Sequence, residues 1–461
     1  MKKSKSLSRR EFVKQSSIAS ITAMLAGGAS NVVMANGITG VQRPAILGGK
    51  PAWDPIKWPK WPQWNSETDD KQVLEVLKSG VWSRAGVVTE FEKKWAEAVG
   101  AQRCLSVVNG TNALIVALNQ LHVGGGDEVI VPPYTFISTV SSILANGAIP
   151  VFVDVDPKTF QMDPAKIEAQ ITPRTKAIMV VHILGLPSDM NAIMAIAKKH
   201  KLLVVEDACQ AHLAEYNHQK VGTFGDAGCF SFQNSKNLPI GEGGAIVSNN
   251  NEFMDRCYSY HNLGTPYGTA VGAVGTGSIM YNTKVRFTEY QAAIGLAQLK
   301  RLDAETTTRN VNAEYLKSQI KDIPGIAPYE LYKNVTRGAF HLFAFRYKKE
   351  AFKNLSRAGF LKAMRAEGVP CTSGYIPLNT QPFLKDTFAT NNFKKMYPKE
   401  MLDINKYNER NKCPLTEKLC GEEAVWFTQN MLLGSKQDMA AIAGALEKVY
   451  KNAEMIKRQE Q

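Results

Sequence analysis

The sequence predicts an α/β fold in which a mostly parallel sheet carries helices on both faces, followed by a smaller C-terminal α+β domain. Between about residues 85 and 250, short apolar runs typical of buried strands alternate with helical stretches. After Lys300 the pattern changes to longer helices joined by connectors rich in Tyr and Lys. With 461 residues, 44% of them hydrophobic, the chain can bury the core of one large and one smaller domain.

The predicted elements follow one another in the order that a parallel sheet requires. Apolar runs predict strands at Glu128–Pro132, Ile149–Asp154, Ala177–Leu184, Leu202–Glu206, Gly228–Phe232 and Gly244–Ser248. Helical patterns cover Thr111–His122, Asp189–His200 and Glu289–Leu302. We therefore divide the chain into an N-terminal segment (1–35), an arm (36–75), a large domain (76–303) and a small domain (304–461).

The first 35 residues resemble a twin-arginine export signal. Arg9 and Arg10 precede Glu11 and Phe12, a mildly apolar stretch follows, and a small-residue site ends at Ala35. An amphipathic helix or a membrane anchor is the alternative, but the apolar stretch is far shorter than the roughly 20 residues that span a bilayer. We expect a periplasmic or otherwise exported protein, with no stable membrane anchor after the signal is removed.

Residues 36–75 are expected to form an irregular arm. Four tryptophans stand among prolines in this stretch, at Trp53, Trp58, Trp61 and Trp64. Such residues are suited to packing on a larger body, so we expect the arm to lie against the rest of the chain.

Charge and cysteine content exclude several classes of function. The net charge is +13, but residues 1–35 hold six basic residues against one acidic residue. The remaining charge is dispersed without basic runs, which argues against nucleic-acid binding. Seven dispersed cysteines without a CxxC pair predict neither a disulfide framework nor a metal site.

Asn109-Gly110-Thr111-Asn112 is a tight turn that opens a helix. Free backbone N–H groups at such a start, together with the helix dipole, can hold a phosphate. The alternative is that Thr111 is a plain N-cap without a ligand.

A second segment, Val204 to Gln210, contains an apolar strand that ends at Asp207. Open α/β sheets bind ligands at the carboxyl ends of their strands. A carboxylate there can accept a hydrogen bond from the protonated ring nitrogen of pyridoxal phosphate. Alternatively, Glu206 or Asp207 caps the next helix.

A third segment places Lys236 between an apolar strand and the Gly-rich turn that ends at Gly244. A lysine in this setting is suited to a Schiff base with the cofactor's aldehyde, while Ser231 contacts the phosphate. A lone surface lysine is the alternative.

In this order, the segments resemble the DegT/DnrJ/EryC1/StrS aminotransferase family of fold-type-I pyridoxal-phosphate enzymes, over about residues 45–450. Its motifs are matched by Asn109-Gly110-Thr111, Pro132 to Phe136, Phe152 to Asp156, Glu206-Asp207, Ser231 to Gly244, and Arg286 through Ala293. The resemblance therefore implies the aspartate-aminotransferase-like fold, pyridoxal 5′-phosphate as cofactor, and a homodimer with shared active sites.

The resemblance also implies roles for individual residues. Lys236 binds the cofactor covalently, Asp207 contacts the pyridine nitrogen, and Gln210 lies near the cofactor's hydroxyl. Phe136 stacks on the ring, although it could instead be a core aromatic at a helix start. The phosphate is held by Thr111 with the backbone of Gly110 and Asn112, and by Ser231.

Three positions depart from the family pattern. The Asn that reaches the neighbouring subunit's phosphate is replaced in register by Lys284, with Asn282 as a second candidate. Asn379 stands where many members have His, and Leu213 replaces the Gly that usually follows Gln-Ala-His. The last change puts the local backbone in doubt.

The resemblance implies a ping-pong transfer of an amino group from glutamine or glutamate to a keto sugar or keto-cyclitol, with Lys236 as nucleophile and general acid/base. Related sugar dehydratases carry His at the lysine position. Tyr375 to Asn379, Cys413 to Glu417 and Glu422 to Trp426 are similar to the scyllo-inosose aminotransferase branch. A non-catalytic member that binds the cofactor or a sugar as a sensor is the alternative.

Overall fold

A seven-stranded sheet forms the centre of the fold. This computed structural model describes residues 42–52, 58–269 and 277–460. The predicted export signal and Trp53 of the arm lie outside the described residues. Within the described residues, no helix is both long and apolar enough to cross a membrane.

The secondary structure accounts for most of the described chain. The strands are β1 (Arg103–Val107), β2 (Glu128–Val131), β3 (Ile149–Phe152), β4 (Thr175–Val181), β5 (Leu203–Asp207), β6 (Glu215–Tyr216), β7 (Gln219–Lys220), β8 (Ala227–Ser231), β9 (Gly244–Ser248), β10 (Ile326–Pro328), β11 (Val335–Arg337), β12 (Leu342–Tyr347) and β13 (Ala424–Thr428). The α-helices are α1 (Ser66–Ser79), α2 (Gly86–Val99), α3 (Gly110–Gln120), α4 (Ile137–Ala145), α5 (Met190–His200), α6 (Asn251–His261), α7 (Glu289–Ile320), α8 (Arg357–Ala366), α9 (Pro382–Phe388), α10 (Asn391–Met396), α11 (Ile404–Arg410), α12 (Pro414–Lys418), α13 (Lys436–Lys451) and α14 (Ala453–Lys457).

The central sheet is mostly parallel, as predicted. Its strand order is β1-β9-β8-β5-β4-β2-β3. The neighbours from β8 to β3 pair in parallel, whereas β9 is antiparallel to both β1 and β8. All six predicted strands are present, and β1 is a seventh that the sequence pattern did not predict.

Helices cover both faces of this sheet, which confirms the predicted layers. On β2, Val129 and Val131 face one apolar core while Ile130 faces the other, because side chains alternate along a strand. The first core includes apolar residues of α3, α4 and α6, and the second includes residues of α2, α5 and α7.

The C-terminal part contains a separate three-stranded sheet, β10-β12-β13, with its own apolar core. The predicted helix from Glu289 continues to Ile320 and so runs through the predicted boundary at residue 303. Leu384, Phe388 and Tyr407 pack into the first core of the central sheet. The domain bounds stay a prediction.

The arm packs against both parts of the fold, as expected from its tryptophans. Trp58 Nε1 donates to the Gly368 carbonyl, and Trp61 Nε1 donates to the Lys236 carbonyl, each at 3.2 Å. The expected irregular structure ends at Asn65, whose side chain accepts the Glu67 N–H and caps α1. The irregular structure predicted for 66–75 is therefore wrong.

Candidate active site

A cavity of about 500 Å³ lies at the carboxyl ends of β4, β5 and β8. Seven of the predicted site residues line it: Gly110, Thr111, Phe136, Asp207, Gln210, Ser231 and Lys236. The three segments singled out from the sequence thus meet at one edge of the central sheet. This is the edge at which α/β sheets bind ligands.

The N-terminus of α3 opens on this cavity. Asn109 is its N-cap, because the Asn109 side chain accepts the Asn112 N–H at 2.9 Å. The alternative in which Thr111 is the N-cap is therefore wrong. Thr111 donates its hydroxyl to Ser138 at 2.8 Å, and both residues line the cavity. The Asn112 N–H, predicted to hold a phosphate, is already bonded to the cap.

Gly110 permits the close approach of α3 to β8. A Cβ at this position would lie 2.7 Å from the Ser231 Cβ and 2.9 Å from the Cys209 Sγ. Any larger residue would push the helix away from the strand end. The absence of a side chain at Gly110 therefore keeps Thr111 and Ser231 on one wall of the cavity.

The Asp207 carboxylate is fixed by hydrogen bonds from two directions. Thr139 donates its hydroxyl to Asp207 Oδ2 at 2.7 Å, and the Cys209 N–H donates to Oδ1 at 3.2 Å. Since the Thr139 hydrogen points to Asp207, Thr135 must donate to Thr139, at 2.8 Å. The side chains of Thr135, Thr139 and Asp207, which form this series of hydrogen bonds, are all buried. The carboxylate is thus held in one orientation at the cavity wall.

Neither acidic residue of this segment caps a helix. The Glu206 carboxylate lies buried and accepts N–H groups from the turn formed by Gly222, Phe224 and Gly225. Glu206 therefore has a structural role, and Asp207 is the carboxylate that faces the cavity.

Lys236 is partly buried. The alternative that it is a lone surface lysine is therefore wrong. Its backbone N–H donates to the Gln233 carbonyl, and its own carbonyl accepts from Trp61. Burial lowers the pKa of Lys236 below its ordinary value, and the nearby Cys209 and Asp207 offset this only in part. Lys236 lines the cavity, and among the described residues no side chain forms a hydrogen bond with its amine.

Phe136 and Gln210 both line the cavity but differ in exposure. Phe136 is 54% exposed, so it is not a core aromatic. Gln210 is buried, accepts the Leu184 N–H at 2.9 Å and donates to the Tyr375 hydroxyl at 2.7 Å. Trp426 packs against the Tyr375 ring with centroids 4.7 Å apart. Tyr375 of the predicted branch motif therefore reaches the cavity, supported by Trp426.

Asn282 and Lys284 do not line this cavity. Asn282 donates to Ser278 and to the Met280 carbonyl, and Lys284 forms an isolated bridge with Asn262. Both were expected to reach a neighbouring subunit, so their predicted role stays a prediction. Asn379 is buried and donates to the Asn411 carbonyl and to Glu417, away from the cavity.

Leu213 has a left-handed backbone conformation. Its φ is 59°, in the left-handed region that favours glycine, and its side chain is buried in the second core. At this position, where the family pattern has glycine, a leucine therefore holds a strained backbone conformation.

Sequence reasoning missed several residues at the cavity. Thr139 lay outside the motifs, although its spacing of four from Thr135 at a helix start places the two hydroxyls on one face. His341 also lines the cavity, from a segment far from the three predicted ones. No sequence pattern signals it.

The sequence matches one family of known proteins over most of its length. The match to the DegT/DnrJ/EryC1/StrS aminotransferase family covers residues 64–423. A solved structure, the aminotransferase from Psychrobacter cryohalolentis, superposes with a TM-score of 0.74 at 30% identity. This superposition covers 86% of the present chain and 100% of that one.

Two curated relatives illustrate the range of similar proteins. L-glutamine:2-deoxy-scyllo-inosose aminotransferase of Streptoalloteichus tenebrarius is 34% identical over 395 residues, 82% of this chain and 91% of that protein. Spore coat polysaccharide biosynthesis protein SpsC of Bacillus subtilis is 36% identical over 327 residues, 69% of this chain and 83% of that protein.

Proposed function

The chain belongs to the DegT/DnrJ/EryC1/StrS aminotransferase family, and from this we propose that it moves an amino group from glutamine or glutamate to a keto-cyclitol or keto sugar, using pyridoxal phosphate. It is an enzyme of the transaminase class. The observation that carries the proposal is the meeting of the Lys236 amine, the Asp207 carboxylate and the α3 N-terminus in one cavity. The relatives' names supply the substrate class.

The cavity residues fit pyridoxal phosphate by their chemistry. Hydroxyls of Thr111, Ser138 and Ser231 beside a helix N-terminus suit a phosphate. Asp207 would hold the ring nitrogen, and the open face of Phe136 would cover the ring. Bound there, the cofactor would supply an electron sink for the charge left when an α-proton is removed.

Lys236 would act as nucleophile and as proton carrier. Its lowered pKa raises the fraction of uncharged amine at neutral pH, which both tasks require. Asp207 stays oriented because Thr139 and the Cys209 N–H hold its two oxygens. Burial of the carboxylate keeps water from competing with the ring nitrogen for it.

We further propose that the enzyme is exported and acts on a free ketone. The twin-arginine pattern around Arg9 and Arg10 supports export. Nucleotide-linked sugars are cytoplasmic metabolites, so an exported enzyme would meet a ketone without a nucleotide. Of the substrates named for the relatives, the scyllo-inosose type meets this condition.

A homodimer with shared sites is part of the proposal. Phe136, which lines the cavity, is 54% exposed. Two further apolar side chains close to Asn282 in the sequence are also exposed, Ile279 at 63% and Tyr281 at 82%. Covering such a surface with a second copy would remove apolar area from water. Asn282 or Lys284 would then reach the partner's phosphate. Size-exclusion chromatography giving a stable, active monomer would contradict this.

An absorption spectrum tests the core of the proposal. The protein loaded with pyridoxal phosphate should show a visible band from lysine-bound cofactor, and L-glutamine or L-glutamate should convert it to the pyridoxamine form. Lys236→Ala, the matched control, should lack the band. A wild-type protein that binds the cofactor, but whose visible band does not change with any amino donor, would instead favour the sensor role.

A further inference from the structure

His341 reaches the cavity from the start of β12, far along the chain from the other site residues. The Ala339 N–H donates to the Gly185 carbonyl at 2.8 Å. A Cβ at Gly185 would lie 2.6 Å from the Gln210 carbonyl oxygen and 2.7 Å from the His341 nitrogen. The backbone that carries His341 is therefore held close against that of Gln210.

The hydrogen-bond network fixes which imidazole nitrogen carries the proton. His341 Nδ1 lies 3.2 Å from Asn237 Oδ1, and Asn237 Nδ2 donates to the Ala339 carbonyl at 2.7 Å. Because the amide nitrogen is used in this way, Asn237 Oδ1 is an acceptor and Nδ1–H is the donor. Nε2 of the neutral ring is then an acceptor.

His341 stays neutral in this setting. Burial holds its pKa well below the ordinary value, and the Lys236, His212 and Arg309 charges act in the same direction. A neutral Nε2 therefore faces the cavity with a lone pair and no proton.

His341 Nε2 has no hydrogen-bond partner within the described part of the chain. It is also not one of the fully buried polar atoms that lack a partner, so it is accessible to solvent. Since His341 lines the cavity, this nitrogen opens on it. A ligand that fills the cavity must bring a donor or leave the nitrogen unsatisfied. The Arg309 guanidinium acts on His341 and disfavours an ammonium at this nitrogen, so a neutral hydroxyl is the suitable donor.

We propose that His341 Nε2 accepts a hydrogen bond from a hydroxyl of a polyhydroxylated ring substrate and so positions its ketone beside Lys236. His341 is then a specificity-determining residue. This inference rests on the proposed function, since it names how that site recognises its acceptor. Asn237 is the positioning residue, because it holds the imidazole in the accepting tautomer.

Calorimetric titration with scyllo-inositol, a ring polyol without a ketone, tests this on the protein loaded with pyridoxal phosphate. His341→Leu should raise the Kd about 10-fold or more, whereas His341→Gln, which keeps an acceptor oxygen, should stay within about 3-fold of wild type. His200→Leu, at the surface beside Glu168, controls for loss of a histidine elsewhere. The spectral response to L-glutamine should be unchanged in His200→Leu, which lies outside the cavity.

The role of His341 and the amino-transfer proposal fail on different results. An unchanged Kd in His341→Leu, or an equal loss in His341→Gln, would overturn the role of His341. So would a weakened response to L-glutamine with unchanged polyol binding, since an ammonium would then be the ligand. A wild-type protein that responds to L-glutamine but binds no ring polyol would overturn this inference alone. Polyol binding that depends on His341, without any donor response, would support it and overturn amino transfer.

Discussion

Replacing Thr139 by valine should show how much the hydrogen bond from Thr139 to Asp207 contributes to stability and to cofactor binding. The substitution keeps the shape of the side chain and removes its hydroxyl. Asp207 Oδ2 then loses its donor at 2.7 Å, and the buried Thr135 hydroxyl loses its acceptor at 2.8 Å. The Cys209 N–H, at 3.2 Å, remains the partner of Oδ1.

The magnitude follows from these contacts. A hydrogen bond to a charged group contributes about 1.5–3 kcal/mol. All three side chains are buried at the cavity wall, so we expect water in the cavity to replace the lost donor only in part. We expect the free energy of unfolding of the cofactor-free protein to fall by about 2 kcal/mol. Pyridoxal phosphate should bind about 10-fold more weakly, because its nitrogen would meet a less firmly oriented carboxylate.

Urea unfolding followed by tryptophan fluorescence measures the first quantity, and titration of the visible absorption band measures the second. Thr139→Ser is the matched control, because it keeps the hydroxyl and loses one buried methyl, which costs about 0.8 kcal/mol. If Thr139→Val were as stable as Thr139→Ser and bound the cofactor equally well, the role of the Thr135-Thr139-Asp207 chain would be refuted.

Two further predictions concern strain and pH. At Leu213, with φ at 59°, Leu213→Gly should be more stable than Leu213→Ala by about 1 kcal/mol in urea unfolding, the reverse of the usual order, since only glycine adopts this backbone freely. A more stable alanine variant would show that the backbone relaxes. Burial, together with the nearby Arg84 charge, lowers the pKa of His261 from 6.5 to about 3. Between these two pH values the unfolded chain binds a proton that the folded chain does not. The free energy of unfolding should therefore fall as the pH drops below 6.5. In His261→Gln, the fall between pH 7 and pH 5 should be smaller by about 2 kcal/mol, measured by urea unfolding at each pH. An unchanged pH dependence would mean that His261 is protonated in the folded protein.

The predicted residues that line the cavity are those whose positions depend on a local sequence context. Asp207 and Ser231 end apolar strands, Gly110 and Thr111 open a helix, and Lys236 lies in the connection between β8 and β9. Each position can be assigned from its own segment, and the ends of neighbouring parallel strands must lie at one edge. The prediction missed β1, whose sequence includes Arg103 and Ser106 and therefore lacks a continuous apolar run.

The sequence by itself determined the layered sheet, the segments that meet at its edge and the family, because side-chain periodicity and turn chemistry are properties of neighbouring residues. Only the tertiary structure decided which groups support them. Thr139 bonds Asp207 across 68 residues, Trp61 bonds the Lys236 carbonyl across 175, and Asn237 orients His341 across 104. Such contacts depend on how separate elements pack, so their partners are set only when the core forms.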